Sequence, residues 1–118
     1  MPGISIHVVD VSRGVVARGM RVELAAVGEA GPERLIASGT ISGNGLLDHP
    51  MLGGTFDAGF YVVRFHIAEY YRAALAESAS PPFLDLVHYR FGLADPAAHY
   101  HLPMKCTPWG YSCFRGGA

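Results

Sequence analysis

Short segments of alternating apolar and polar residues recur along most of this chain of 118 residues. In the first of them, Ile4, Ile6 and Val8 occupy every second position, as in a strand with one buried face. Tight turns separate the segments, and the clearest is residues 42–45, Ser-Gly-Asn-Gly. Such spacing predicts an all-β chain, an antiparallel sandwich of seven or eight short strands. The predicted strands are residues 4–10, 20–27, 33–41, 59–67, 84–94, 99–106 and 111–115.

One segment favours a helix. Residues 67–78, IAEYYRAALAES, are rich in helix-forming residues and contain neither glycine nor proline. Pro81 and Pro82 follow closely and cannot continue a helix. We therefore predict one short helix in a connection between strands, since too little sequence remains for a helical layer.

The composition limits the partners of the chain. Half of the residues are apolar, 16% are charged and the net charge is −1, so no broad basic surface is available to nucleic acid. No apolar run approaches the roughly 20 residues of a membrane helix, and no signal peptide is visible at the N-terminus. We expect one domain over residues 1–118, a cytoplasmic location, and neither nucleic acid nor membrane as partner. The low charge also indicates surface hidden at subunit contacts.

The last twenty residues hold most of the candidate functional groups. His99 and His101 are two positions apart in a predicted strand, so their imidazoles point to the same face. Together with His7 they are candidates for general acid–base catalysis, because an imidazole exchanges protons near physiological pH. Arg115 precedes Gly116 and could bind an oxyanion through two parallel N–H donors.

Other chemistries have weaker support. A zinc ion could use His99 and His101 with a third histidine (His7, His49, His66 or His88), but this spacing is unspecific, and we expect neither metal nor cofactor. Ser112 or Cys113 could act as a nucleophile, yet no G-x-S-x-G elbow is present. Cys106 and Cys113 could pair in a hairpin or remain reduced, and the sequence leaves both possibilities open.

The chain resembles a known family over nearly its whole length. The segment HYHLPMKCTPWGYSCFRGG resembles HYHVPLLLSPxGYSTYRGS, the C-terminal signature of the transthyretin-like 5-hydroxyisourate hydrolases. The opening ISIHVVD resembles their LTTHVLD, and FDAGFYVVRFHIAEYY resembles their F-x-x-G-x-Y-x-L-x-F segment.

This resemblance implies a transthyretin-like sandwich of two four-stranded antiparallel sheets with one short helix. It implies a homotetramer, a dimer of dimers with active sites between the dimers. It also implies a metal-free and cofactor-free reaction, in which water opens a cyclic amide of a small heterocyclic substrate in purine metabolism. The histidines of the family motifs fall on His7 and His101, and the arginine of the YRGS tail falls on Arg115. The positions expected to contact substrate are Leu46, His99, Phe114, Gly116 and Gly117.

Three departures from the family pattern bear on the substrate. Leu46 replaces the arginine of T-N-x-D-G-R, Phe114 replaces the tyrosine of the tail, and Gly117 replaces its serine. Loss of polar groups predicts a ring less polar than 5-hydroxyisourate, since apolar walls disfavour a polar ligand. One alternative is ordinary 5-hydroxyisourate hydrolysis, with Arg64 or Arg90 replacing the missing arginine. Another is a non-enzymatic protein that binds small ligands, as transthyretin does.

Overall fold

The computed structural model describes residues 2–28, 31–75 and 79–117. Within these residues, eight strands form two four-stranded sheets, accompanied by one α-helix and one short 3₁₀ helix. The strands are β1 (Gly3–Asp10), β2 (Val15–Val16), β3 (Arg21–Val27), β4 (Arg34–Thr40), β5 (Gly59–Phe65), β6 (Val87–Leu93), β7 (His99–Thr107) and β8 (Gly110–Cys113). The α-helix, α1, spans Ile67–Ala74, and the 3₁₀ helix spans Pro50–Gly53.

The strand order is β2-β1-β7-β8 in the first sheet and β4-β3-β5-β6 in the second. This confirms the predicted sandwich of two four-stranded sheets with one short helix. One pairing differs from the prediction, because β1 and β7 run parallel while the other pairs are antiparallel. Parallel neighbours need a long crossover, and here almost the whole chain lies between the two strands.

The core lies between the two sheets. Every second residue of β1 and β7 faces inward, and the same is true of the facing strands β3 and β5. Burial of these side chains fixes the register, since a slip of one residue would turn each apolar side chain to the outer face. The fully buried core residues include Ile6, Val8, Leu102 and Met104 from the first sheet and Val22, Leu24, Val63 and Phe65 from the second.

Helix α1 is shorter than predicted. Residues 67–78 were expected to be helical, but the helix ends at Ala74, and Leu75 has an extended backbone with φ −113° and ψ 140°. Residues 76–78 of the prediction lie outside the described residues. Ile67, Tyr70 and Tyr71 form the buried face at helical spacing. The buried positions all lie within the first five residues of the helix, so packing against the core stabilises that part of it. None of the described helices is long and apolar enough to cross a membrane.

The two cysteines are both free. In the β7–β8 pair, Tyr111 lies opposite Cys106 and Met104 lies opposite Cys113, so the cysteines do not face each other. Burial raises the pKa of both thiols to about 11, which keeps them protonated near neutral pH. They resemble small apolar groups in their packing, and Cys113 is a poor nucleophile in this environment.

Candidate active site

The candidate site lies on the outer face of the β1–β7 pair. The parallel register places Ser5 beside His101 and Gly3 beside His99. Residues at paired positions share a face, so the two histidines of β7 and the odd-numbered side chains of β1 point away from the core. The predicted clustering of His7, His99 and His101 thus follows from one strand pair, and their side chains are partly exposed.

Ser5 joins the two histidines of β7. Its hydroxyl Oγ lies 2.6 Å from Nδ1 of His101 and 2.9 Å from Nε2 of His99. The other ring nitrogen of His99, Nδ1, lies 3.4 Å from the main-chain carbonyl oxygen of Pro2. Three polar side chains and one carbonyl therefore form a continuous hydrogen-bonded chain. Ser5 is a functional candidate that the sequence pattern did not predict, although its place two residues before His7 puts both on the same face of β1.

His7 is held by the segment that passes over the other edge of β1. Leu46 pairs with His7 in an isolated bridge, and Nε2 of His7 lies 3.2 Å from the carbonyl oxygen of Asn44. Gly45 has a positive φ of +86°, and a Cβ atom there would lie 2.4 Å from Nε2 of His7. Only glycine combines this backbone conformation with so close an approach to the ring. The turn predicted at residues 42–45 therefore helps to orient His7.

The C-terminal tail approaches the site from β8. Pro103 of β7 has no N–H to donate, which explains why regular β8 pairing stops at Cys113. The chain then rejoins β7, where the N–H of Gly116 donates to the carbonyl of His101 at 2.7 Å. A Cβ atom on Gly116 would lie 3.0 Å from Cδ2 of His101, so this glycine allows the tail to pass close to the imidazole.

Two further tail residues lie near this end of the site. The bridge between His101 and Gly116 has the same register as the β7–β8 pair, which puts Phe114 opposite Pro103 on the outer face. Phe114 is half-exposed, and Gly117 is exposed with open space around it. The tail thus supplies an aromatic side chain and small residues beside the histidines, and no hydroxyl group.

Arg115 lies on the other side of the sheet. Its guanidinium sits 3.9 Å from the ring centroid of Tyr100, a cation–π contact. Tyr100 is buried on the core face, whereas His101 points outward. The expected convergence of Arg115 with the two histidines is therefore not seen within the described residues of one chain. Alternation along the tail could have signalled this, since Arg115 and Phe114 are neighbours and must face opposite ways.

The environment of His101 favours its neutral form. Burial lowers the pKa of His101 below the ordinary value of 6.5, and the neighbouring His7 and His99 lower it further. The physical causes are loss of hydration, which disfavours the imidazolium ion, and repulsion between like charges. A neutral imidazole near physiological pH can accept a proton, as a general base must.

The other candidate residues lie elsewhere. His49 accepts a hydrogen bond from the N–H of Met51, His66 bonds to Glu23 at 2.7 Å, and His88 is exposed on β6. In the part of the chain that the structure describes, no three His, Cys, Asp or Glu side chains are grouped so that they could hold a metal ion. Ser112 is exposed on β8 and, with no hydrogen-bonded base among its described contacts, is not activated as a nucleophile.

The two arginines considered as replacements for the missing family arginine belong to the second sheet. Arg64 on β5 forms an ion pair with Glu33, and Arg90 on β6 lies over the ring of Phe60. Both point outward from the sheet opposite the one that bears His7. Neither replaces that arginine beside His7 in the same chain.

The fold is a β-sandwich of two four-stranded sheets, and it bears His7, His99 and His101 on one outer face. The chain belongs to the HIUase/Transthyretin family, whose model matches residues 4–116. It is 40% identical to a 5-hydroxyisourate hydrolase of Deinococcus radiodurans over 117 residues, 98% of this chain and 96% of that protein. It is 38% identical to a 5-hydroxyisourate hydrolase of Pseudomonas aeruginosa, covering 98% and 92% of the two chains.

Solved structures agree with these relatives. The fold matches Klebsiella pneumoniae 5-hydroxyisourate hydrolase with a TM-score of 0.79 and 25% identity, covering 99% of this chain and 100% of that one. It matches an (S)-allantoin synthase with a TM-score of 0.87 and 31% identity. The match covers 98% of this chain and 43% of that synthase, so this chain spans less than half of its length. Together the relatives support a hydrolase of the 5-hydroxyisourate hydrolase kind.

Proposed function

We propose that this chain is a hydrolase that opens a cyclic amide in a small heterocycle of the 5-hydroxyisourate class, without metal or cofactor. The observation that carries the proposal is the outer-face cluster, in which His7 and His101 flank the same strand pair and Ser5 bonds to His101 at 2.6 Å. The names of the relatives support the same reaction class.

The reaction follows from one neutral imidazole that acts first as a base and then as an acid. His101 takes a proton from water while the water oxygen bonds to the ring carbonyl carbon, which leaves a tetrahedral oxyanion. When this intermediate collapses, the C–N bond breaks and the imidazolium returns the proton to the leaving ring nitrogen. His7 lies on the same face and positions the water or the substrate.

Leu46 favours a ring that is less polar than 5-hydroxyisourate. It pairs with His7, so its side chain borders the imidazole where the family motif has a guanidinium. Phe114 adds a second apolar group on the same face. A polar ring atom placed against these side chains would lose its hydration without gaining a hydrogen bond, which disfavours binding. An N-methylated hydroxyisourate is a fitting substrate.

The second candidate is 5-hydroxyisourate itself. It is favoured by the names of the relatives, which match this chain at 35–40% identity over nearly its full length. In that case the N–H groups of the tail and a group from another subunit would bind the polar ring in place of the missing arginine.

Arg115 and the assembly belong to the same proposal. Arg115 would stabilise the oxyanion only after its guanidinium leaves the ring of Tyr100, or at a site shared between subunits. We expect a homotetramer, and the exposed Trp109, Tyr111 and Phe114 at this end of the chain suit a subunit contact. Light scattering on the eluted protein measures the subunit number, and a monomer would remove the shared-site explanation.

The test is the loss of ultraviolet absorbance of freshly prepared 5-hydroxyisourate and its N-methylated analogue. The wild-type chain should accelerate at least one of them, and His101→Gln should lower kcat by about 10²- to 10⁴-fold, the usual range for general acid–base catalysis. His88→Gln is the matched control, because His88 is exposed on the other sheet. Faster opening of the methylated ring supports the apolar-site argument, and the reverse supports the second candidate. No acceleration of either ring, or full activity in His101→Gln, would contradict the hydrolase proposal.

A further inference from the structure

Ser5 contacts two imidazoles but has a single proton to donate. Its Oγ lies within hydrogen-bond distance of His99 Nε2 and of His101 Nδ1. A hydroxyl can donate one hydrogen bond and accept others, so one of these contacts uses the serine proton and the other uses a serine lone pair. The direction in which these hydrogen bonds run then depends on which ring nitrogen of His99 carries the proton.

The carbonyl of Pro2 sets that direction. A carbonyl oxygen only accepts, so the 3.4 Å contact requires the proton of neutral His99 to reside on Nδ1. Nε2 of His99 then has a lone pair and accepts the hydroxyl proton of Ser5. The oxygen of Ser5 is left to accept from Nδ1–H of His101. Every member of the chain is satisfied in this arrangement and in no other with neutral rings.

The consequence is a defined tautomer for His101. With the proton on Nδ1, the lone pair of neutral His101 lies on Nε2, the nitrogen that faces away from Ser5. When Nε2 takes up a proton, the imidazolium keeps its Nδ1–H bond to the serine oxygen, a charge-assisted bond that strengthens as charge develops. His7 does not take part in these hydrogen bonds. Its Nε2–H donates to the carbonyl of Asn44, which leaves the lone pair on Nδ1.

We propose that Ser5 and His99 are positioning residues, which form a one-way hydrogen-bonded chain from His101 to the carbonyl of Pro2 and fix Nε2 of His101 as the proton-accepting atom. This inference deepens the proposed function, on which it rests for the identity of the base. It assigns to Ser5 and His99 the task of orienting His101, and it assigns them no contact with the reacting atoms.

Nitrogen-15 NMR of histidine-labelled protein tests this hydrogen-bonded chain directly, and the experiment needs no substrate. Above the pKa of the rings, the spectrum should show the proton on Nδ1 of both His99 and His101 and on Nε2 of His7. In Ser5→Ala, His101 should populate both tautomers, whereas Ser5→Thr should keep the wild-type pattern because threonine retains the hydroxyl. A wild-type His101 with its proton on Nε2, or an unchanged His101 in Ser5→Ala, would overturn the proposal.

Kinetics supply the second measurement. Ser5→Ala should lower kcat roughly 10- to 100-fold, a part of the total general acid–base contribution, with a much smaller change in KM. Ser5→Thr should recover most of the loss, and Ser38→Ala, an exposed serine on β4, should match the wild type. A rise in KM alone, or no recovery in Ser5→Thr, would contradict a positioning role. If the wild type opens neither ring, the proposed function fails. The NMR result still decides whether the hydrogen bonds from His101 to the carbonyl of Pro2 form.

Discussion

Strand β1 carries two polar clusters on its opposite faces, and they differ in a way that separates stability from chemistry. On the outer face, Ser5 and His7 belong to a half-exposed cluster in which Nδ1 of His7 and Nε2 of His101 have no hydrogen-bond partner among the described residues. On the inner face, Asp10 is fully buried and accepts hydrogen bonds from Tyr71 at 2.7 Å and Tyr70 at 2.9 Å. A buried cluster whose polar atoms are satisfied stabilises the fold, whereas a surface cluster with a free ring nitrogen can transfer protons.

The Asp10 cluster docks the helix against the first sheet. Besides the two tyrosines of α1, Ser12 donates to Asp10 at 2.6 Å. Burial by itself raises the pKa of the Asp10 carboxyl, but the hydrogen bonds from Ser12, Tyr71 and Tyr70 outweigh it and hold the pKa below the ordinary value. No described buried side-chain polar atom lacks a hydrogen-bond partner, so the polar atoms of this buried cluster are satisfied within the protein.

The largest expected effect is on the outer cluster. His7→Ala should lower kcat by about 10²-fold, because it removes the side chain that positions the water or the substrate, and lost positioning costs a factor of that order. The free energy of unfolding should change by less than about 1 kcal/mol, since the ring is partly exposed and its one bond is long. Enzyme assays and urea titrations of the same preparation check both. A large loss of stability would contradict the view that the outer cluster serves chemistry and the inner cluster serves stability.

Asp10→Asn should lower stability and leave the activity of the folded protein unchanged. The amide cannot accept all the bonds that the carboxylate accepts, and its N–H donors face the tyrosine hydroxyls. The free energy of unfolding should fall by about 2–3 kcal/mol, the range for lost bonds to a buried charged group. The folded fraction should keep its kcat. Urea titration measures the first quantity, and an equal loss of kcat in fully folded protein would break the distinction between the clusters.

Leu46→Arg tests the apolar wall of the outer cluster. A guanidinium beside His7 should favour 5-hydroxyisourate over the N-methylated ring by about 1.5–3 kcal/mol, the range for a charge-assisted hydrogen bond. In kcat/KM this is roughly a 10- to 150-fold change in preference. Leu47→Met, a buried neighbour outside the site, serves as the control. An unchanged preference would show that Leu46 does not border the substrate.

The smallest expected effect is a difference in pH dependence: the outer cluster controls activity, and the Asp10 cluster controls stability at lower pH. Because the pKa of His101 is lowered below 6.5, the acid limb of kcat/KM should have its midpoint below that value. The same lowering makes the fold slightly less stable as pH falls below 6.5, since the unfolded chain then binds the proton more readily.

The contribution of Asp10 appears at lower pH. Its pKa is lowered from 3.8, so its stabilisation is present above 3.8 and is lost as pH falls through the folded-state value. Circular dichroism and activity measured on the same samples should therefore show activity lost before structure. Coincident transitions would contradict the assignment of the acid limb to His101.

Sequence patterns predicted the sandwich and most strand positions, because period-two alternation is set locally by burial of one face. They did not predict the parallel pairing of β1 with β7, which depends on how distant parts of the chain meet. The helix end at Ala74 was not predicted, because composition and helix propensity favour a helix over a segment without fixing the residue at which it stops.

The site was predicted in part. His7, His99 and His101 share a face, as alternation and the family motifs indicated, and Leu46 and Gly116 lie beside them. Ser5 was missed because a serine in a strand carries no distinctive signal until its partners on β7 are known. The family motif grouped Arg115 with the histidines; within one chain its guanidinium lies over the ring of Tyr100, and its role at the site stays a prediction.

The account rests on His7 and His101 acting as one unit on one face of the first sheet. A double-mutant cycle with His7→Gln, His101→Gln and the combined variant, measured as kcat/KM for the preferred ring, tests this most directly. If the imidazoles act together, the double variant should be little slower than the slower single variant, because residues that act as a unit are not additive. Losses that add fully in free energy, or a single variant with wild-type activity, would contradict it.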